Sequence, residues 1–269
     1  MLSISPTRDP EAPPSAPTRG RGSNEPPRTA PLLEERLVSL GQPWSLEADQ
    51  YRMLRCEIEY LRRSRSLSII AVTSPDVGDG KTTTSVNLAG TLSQDPGTRV
   101  LLVDADLRRP SAAPLLGFGD RGDGPGLAGA ILDSHRSLAS VVRARPPFNL
   151  SVLPAGRFHD LPFELLRSPR LADLLAEARQ QYDYVVVDTP PLLLLPDCRA
   201  VAQQVDGFLL VGAVAAALDA LEEEKTIGIV FNNENRPPSS YYKRYYGAPP
   251  GPRATRNRVT AGRGWRFWR

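Results

Sequence analysis

The 269-residue chain predicts an α/β fold, a mainly parallel sheet with helices on both faces, and three observations carry that reading. Six apolar runs of strand length lie near 68–73, 99–103, 149–153, 184–188, 207–211 and 227–231. Stretches with helical spacing separate them, near 83–93, 163–180, 197–204 and 213–224, and another precedes the first strand from about Leu46 to Leu61. Strands alternating with helices in this way pair in parallel, because each crossover lays its helix on one face of the sheet. The third observation is chemical: three of the runs end in loops suited to phosphate or magnesium. These are Ser74-Pro-Asp-Val-Gly-Asp-Gly-Lys-Thr82, Leu101-Leu-Val-Asp-Ala-Asp-Leu-Arg108 and Val185-Val-Val-Asp-Thr-Pro-Pro191.

The first loop follows the strand-like Leu67-Ser-Ile-Ile-Ala-Val-Thr73 and opens the helical Thr83–Leu92, the strand, loop, helix order that a phosphate-binding loop requires. Gly78 and Gly80 permit a tight turn whose amides point inward, and the helix that follows presents its positive end to an anion. Asp79 and Thr83 flank this cradle, Lys81 adds a full positive charge, and the Thr82 hydroxyl suits Mg²⁺, a hard cation that accepts few protein ligands. The loop departs from the general pattern at Pro75, where the first glycine normally stands.

Asp104 and Asp106 follow Arg99-Val-Leu-Leu-Val103, and Asp188 follows Tyr184-Val-Val-Val187. Both runs read as buried parallel strands, so all three carboxylates fall at strand C-termini, the edge where open α/β sheets bind ligands. One such aspartate is ordinarily a turn former or helix cap. Three of them together with Lys81 specify a nucleoside triphosphate site.

The combination Asp104-x-Asp106-x-Arg108 and Asp188-Thr-Pro-Pro191 resembles the second and third Walker motifs of the bacterial tyrosine kinases of capsule and exopolysaccharide synthesis. Further matches are Leu37-Val-Ser-Leu, Tyr51-Arg-Met-Leu-Arg55, Gly126-Leu127 with Ile131-Leu132, Leu153-Pro-Ala-Gly156, Pro162-Phe-Glu-Leu-Leu166, Asp197, Asp206-Gly-Phe-Leu-Leu-Val211 and Gly228-Ile-Val-Phe-Asn232. The likeness therefore covers roughly residues 37–233. It implies a P-loop NTPase fold of the MinD/ParA kind, with ATP and Mg²⁺ as cofactors and transfer of the γ-phosphoryl group to tyrosine. By the same resemblance Lys81 and the loop amides hold the phosphates, and Thr82, Asp104 and Asp188 hold Mg²⁺. Asp104 is then the candidate base, Asp106 supports the metal shell, and Asn232 falls where the family contacts adenine. The last crossover, Gly212 to Thr226, has only 15 residues and is shorter than the family usually shows.

Two other classes stay open. A partition or division ATPase of the MinD/ParA kind shares the fold and most of these motifs, but it normally carries a lysine five residues before the main one, where this chain has Asp76. A nucleotide-binding regulator or scaffold of polysaccharide export without kinase activity is suggested by Pro75 and the short crossover.

The ends differ from the middle. Residues 1–36 hold eight prolines with five acidic and five basic side chains, too little apolar surface to offset ordering entropy, and they read as a disordered tail. Residues 37–235 form the kinase domain, with 19 basic and 25 acidic side chains. Residues 236–269 carry nine Lys or Arg and no Asp or Glu, and they read as a basic, flexible tail. Such a tail, ending Gly-Trp-Arg-Phe-Trp-Arg269, suits an anionic membrane surface better than nucleic acid. It also contains Tyr241, Tyr242, Tyr245 and Tyr246, the candidate phosphoacceptors. Tyr60, Tyr182 and Tyr184 read as supports of the core or its surface.

The longest apolar stretch, Phe208–Leu218, has 11 residues against the roughly 20 that a spanning helix needs. The start Met1-Leu-Ser-Ile-Ser-Pro6 does not read as a signal peptide. The expectation is a cytoplasmic protein, peripheral at the inner face of the membrane, with Cys56 and Cys198 buried as apolar residues and His135 and His159 in solvated or loop roles. Asp49-Gln-Tyr-Arg52-Met-Leu-Arg55 resembles the family's oligomer motif, with Asp in the acidic place. On a helix these positions share one face, so the resemblance implies a homo-oligomer and a separate membrane adaptor of the polysaccharide co-polymerase type.

Overall fold

A computed structural model describes residues 34–119, 124–157, 161–194, 196–212, 225–234 and 264–268. The helix expected over 213–224, residues 1–33 of the N-terminal tail, the C-terminal tail apart from 264–268, the tyrosines Tyr241 to Tyr246 and His159 lie outside the described residues. In chain order the elements begin α1 (Val38–Gly41), α2 (Leu46–Ser64), β1 (Ile69–Thr73), α3 (Lys81–Leu92), β2 (Val100–Asp104), α4 (Ala112–Leu115), α5 (Gly126–Leu132) and α6 (Leu138–Val141). They continue β3 (Arg143–Ala144), β4 (Leu150–Leu153), α7 (Pro162–Leu166), α8 (Pro169–Gln181), β5 (Tyr184–Asp188), α9 (Asp197–Ala202), β6 (Gly207–Val211), β7 (Thr226–Glu234) and β8 (Gly264–Trp268).

The described strands form one sheet in the order β3-β4-β2-β5-β1-β6-β7-β8. The six strands expected from sequence, β4 through β7 in that order, pair in parallel. The two antiparallel strands, β3 on β4 and β8 on β7, are short edge additions that the sequence did not indicate. Strand β8 comes from the segment read as a flexible tail, and its register places Gly264 beside Glu234.

Side chains alternate across each strand and so supply two cores. Ile69, Ala71, Leu101, Val103, Val185, Val187, Phe208 and Leu210 face α5 to α9. Ile70, Val72, Leu102, Val186, Leu209 and Val211 face α1 to α4. Helix α8 buries Leu171, Leu174, Leu175 and Ala178, the i, i+3, i+4, i+7 stripe of an amphipathic helix, and each leucine contributes about 1.5–3 kcal/mol by leaving water. Helix α2 opens on Ser45, whose side chain accepts from the Ala48 amide, and has Glu47 and Asp49 in its first turn and Arg62 and Arg63 in its last.

Two expectations need correction. The single helix over 163–180 is two helices, because Pro169 disfavours helical backbone at Ser168; that residue turns extended (ψ 137°) and its side chain caps α8 through the Arg170 amide. Cys198 is buried as expected, but Cys56 is exposed, since it falls on the outward face of α2 opposite Tyr51, Leu54 and Ile58. Tyr184 is buried with Arg62 over its ring at 4.4 Å, whereas Tyr60 is exposed. Among the described residues no helix is long and apolar enough to cross a membrane.

Candidate active site

The site is assembled at the C-terminal edge of the three central strands, β2, β5 and β1. Between β1 and α3 the chain turns through Gly78 (φ 90°) and Gly80 (φ 94°), left-handed backbone that L side chains rarely adopt. Helix α3 starts at Lys81, so the free amides of its first turn face the loop's concavity. Asp79 is spent on holding the loop's shape: its Oδ2 accepts from the Asp76 amide at 2.9 Å, and its carbonyl accepts from Asn232 Nδ2 at 2.6 Å. Gly212, at the end of β6, lets this happen, for a Cβ there would stand 2.9 Å from the Asp79 carboxyl carbon. Asn232 is therefore seated against the phosphate loop from the β7 side.

Register puts the carboxylates together. Asp104 on β2 is the direct partner of Asp188 on β5, and both are fully buried. Asp104 Oδ1 accepts from the Asp106 amide at 3.2 Å, and its Oδ2 accepts from the Ser111 and Ala112 amides at 3.1 and 3.0 Å. Ser85 Oγ, one turn into α3, lies 2.9 Å from Asp188 Oδ1, while Asp188 Oδ2 has no hydrogen-bond partner. Burial pushes the Asp104 carboxyl well above its ordinary value, and the neighbouring Asp188 charge pushes it further. Asp188 is raised to about 6 by burial, against the pull of the Lys81 charge and of the Thr82 and Ser85 hydroxyls.

Lys81 Nζ sits 3.1 Å from Asp106 Oδ2. The Thr82 hydroxyl accepts from Ser111 Oγ at 3.0 Å. A cleft of about 690 Å³ opens over Gly78, Gly80, Lys81, Thr82, Thr83 and Asp106, a size suited to a nucleotide-scale ligand. Of the three site carboxylates Asp106 lines this cleft, while Asp104 and Asp188 lie behind it.

Two buried, destabilised carboxylates with one orphaned oxygen, beside a threonine hydroxyl, make a donor set for a hard divalent cation. Their chemistry fits Mg²⁺, whose charge would offset both carboxylates. Among the described residues no group of three or more His, Cys, Asp or Glu side chains is placed to hold a metal ion, so carboxylates alone do not complete a cation site.

The sequence pattern points to no role for Ser85 and Ser111, which hold Asp188 and Thr82, or for the pair in which exposed Arg108 meets buried Asp197 at 2.6 and 3.2 Å. Helical spacing from Lys81 to Ser85 was the one available signal. The other contacts join residues distant in sequence. The expected oligomer face is occupied within its own chain: Arg52 pairs with Asp49, and Arg55 bonds Glu59 at 2.6 Å and the Thr91 carbonyl at 3.1 Å.

The AAA domain family matches residues 67–205, which hold all three loops. Tyrosine-protein kinase YwqD of Bacillus subtilis (strain 168) is 33% identical over 225 residues, covering 80% of this chain and 92% of that protein. The chain belongs to the bacterial tyrosine-protein kinases. Among solved structures of this kinase family, the kinase domain of Escherichia coli tyrosine kinase ETK superposes with a TM-score of 0.64 at 28% identity, over 71% of this chain and 72% of that one. A ParA family ATPase from Chlorobium tepidum TLS, with a TM-score of 0.51 at 24% identity over 68% of this chain and 82% of that one, shares the fold. The kinase family thus sits on a P-loop fold common to partition ATPases, as the MinD/ParA resemblance implies.

Proposed function

We propose that this chain transfers the γ-phosphoryl group of ATP to tyrosine hydroxyls, those of Tyr241, Tyr242, Tyr245 and Tyr246 included, in the control of capsular or exopolysaccharide synthesis and export. The single observation that carries the reading is the pairing of Asp104 with Asp188 beside Lys81, which brings three remote motifs to one cleft. In the reaction the tyrosine oxygen bonds to the γ-phosphorus, the bond to the β–γ bridging oxygen breaks, ADP leaves, and the phenolic proton passes to a carboxylate. Such transfer depends on positioning and charge neutralisation more than on covalent chemistry.

Lys81 and the loop amides take the phosphates, and Lys81 exchanges its Asp106 partner for them. Thr82, Asp104 and Asp188 would hold Mg²⁺, which when bound neutralises phosphate charge. The base role expected of Asp104 passes in this reading to Asp106, because Asp106 lines the cleft and Asp104 is enclosed by three amides. Asn232 stands on the β7 side, and the nucleotide base belongs there. A membrane adaptor, a homo-oligomer built on the face of Asp49, Arg52 and Arg55, and an anionic membrane surface for the basic tail complete the proposal. Phosphorylating four tyrosines adds about −6 to −8 charge, comparable to the tail's nine cations, so modification releases the tail.

The test is incubation of the purified protein with Mg-ATP, with and without anionic vesicles, followed by mapping of phosphotyrosine by mass spectrometry beside a Lys81→Met variant. Modification at Tyr241 to Tyr246 that falls at least about a thousandfold in the variant supports the kinase reading. ATP hydrolysis without phosphotyrosine supports the ATPase instead.

A further inference from the structure

The cleft extends beyond the phosphate loop in one direction. Strand order places β7, with Asn232, two strands to one side of β1, and β2, with Asp106, two strands to the other. If the base of the nucleotide lies on the β7 side, the far side of the γ-phosphate faces β2. An acceptor hydroxyl must therefore enter over the β2 loop. The lining changes character there, to exposed Pro114 and Leu194 with buried Leu115 and Pro191.

The cations of the cleft are unequal. Lys81 has Asp106 at 3.1 Å, Arg108 has Asp197 at 2.6 Å, and Arg36 has Glu34 at 2.7 Å. Arg109 also lines the cleft and is exposed, yet among the described residues its guanidinium has no carboxylate. Its backbone amide donates to Asp106 Oδ1 at 3.0 Å, which ties its position to the carboxylate that faces the acceptor.

We propose that this end of the cleft is the acceptor subsite, and that Arg109 reads a negative group next to the tyrosine being modified. The inference rests on the kinase reading and deepens it. Pro114 and Leu194 offer an apolar wall for the tyrosine ring, and Arg109 offers a planar cation for a phosphate one residue away. The occupant is the segment Tyr241-Tyr-Lys-Arg-Tyr-Tyr246 of this chain in singly phosphorylated form. Its tyrosines come as two doublets, so the first phosphate on a doublet always lies adjacent to an unmodified tyrosine. The unmodified segment carries Lys243 and Arg244 and no acid, a charge that Arg109 repels. Modification therefore reinforces itself within each doublet.

The segment can reach the site. Tyr241 is seven residues past Glu234, a span of about 23 Å of extended chain. From β7 to β2 is four strand spacings, about 19 Å. Reach permits the chain's own cleft as well as a neighbour's.

The experiment uses the full-length protein with Mg²⁺ and a non-hydrolysable ATP analogue, and fluorescein-labelled peptides of residues 237–248, either unmodified or phosphorylated at Tyr242. Anisotropy is expected to show the phosphopeptide binding about tenfold more tightly. Arg109→Glu is expected to abolish or invert that ratio, and Arg109→Lys to keep most of it. The ratio is internal to each variant, so a general loss of affinity does not mimic the effect. Equal binding of the two peptides to the native protein, absence of binding by either, or a ratio unchanged in Arg109→Glu would each overturn the proposal, and loss of the ratio in Arg36→Glu instead would move the phosphate contact to Arg36. Because binding is read without transfer, absence of phosphotyrosine in the Mg-ATP assay would count against the kinase reading and leave the peptide result to stand separately.

Discussion

At the C-terminal ends of β2 and β5, Asp104 and Asp188 lie side by side and fully buried, whereas at the opposite edge of the sheet Asp183 and Asp206 each stand beside an arginine. Asp206 is raised by partial burial, but Arg179 at 2.7 and 2.8 Å and the amides of Ser68 and Ile69 at 2.8 and 2.7 Å outweigh that and hold it below the ordinary carboxylate value. Asp183 is likewise held low, first by the Arg99 amide at 2.8 Å and then by its guanidinium. One edge spends its aspartates on stability. The other buries two carboxylates side by side, where burial opposes their charged forms more strongly than Lys81, the neighbouring hydroxyls and the loop amides favour them.

The largest expected contrast comes from substituting one residue at each edge. Asp188→Asn is expected to lower phosphotransfer by about 10²–10³ while metal-free stability falls by no more than about 1 kcal/mol, because the amide removes a charge the fold penalises. Asp206→Asn is expected to do the reverse, costing about 1–3 kcal/mol and leaving transfer intact, because two strand amides and a guanidinium lose their anion. Denaturant unfolding beside a phosphotyrosine assay measures both, and equal stability losses in the two variants would dissolve the comparison.

A smaller effect separates the edges by pH. Asp104 and Asp188 have folded values above the ordinary 3.8, so above about pH 4 the folded state binds more protons than the unfolded, for Asp188 up to about pH 6. The Asp188 contribution to stability is present below pH 4 and is lost as pH rises through about 6, and the Asp104 contribution is lost in the same direction, as pH rises through its own raised value. Asp183 and Asp206, with lowered values, contribute above 3.8 and lose that contribution as pH falls below it. Melting temperature followed from pH 3 to 7 should therefore pass through a maximum on the acid side of neutrality. Mg²⁺ should raise the branch above pH 6 selectively. A uniform shift by Mg²⁺ across the range would mean that these carboxylates are not its site. The smallest change is expected of Asp183→Asn, about 0.5–1 kcal/mol, since Arg99 and Asp183 are partly in water.

Much of this was legible beforehand. The apolar runs located the parallel strands to within a residue or two at most ends, since a strand buried on both faces must be continuously apolar. The loops that end them nominated Lys81, Thr82, Asp104, Asp106 and Asp188, because phosphate and magnesium chemistry admit few residue types, and the fold brings those residues to one edge of the sheet. The division of α7 from α8 was present as Ser168-Pro169 and was overridden by the helical periodicity on either side. The exposure of Cys56 was present in the spacing of α2, whose buried positions exclude it. The short helices α4 to α6 and the edge strands β3 and β8 had no periodicity long enough to register.

By itself the sequence determined which residues could do the chemistry and that they would stand at strand ends, because those properties belong to short stretches of chain. Strand order and register were left to the tertiary structure, and they alone made Asp104 the neighbour of Asp188, set Asn232 and Arg109 on opposite sides of Lys81, and turned Asp106 rather than Asp104 toward the cleft. Those relations are distances between segments remote along the chain, and only the packing of helices against both faces of the sheet fixes them.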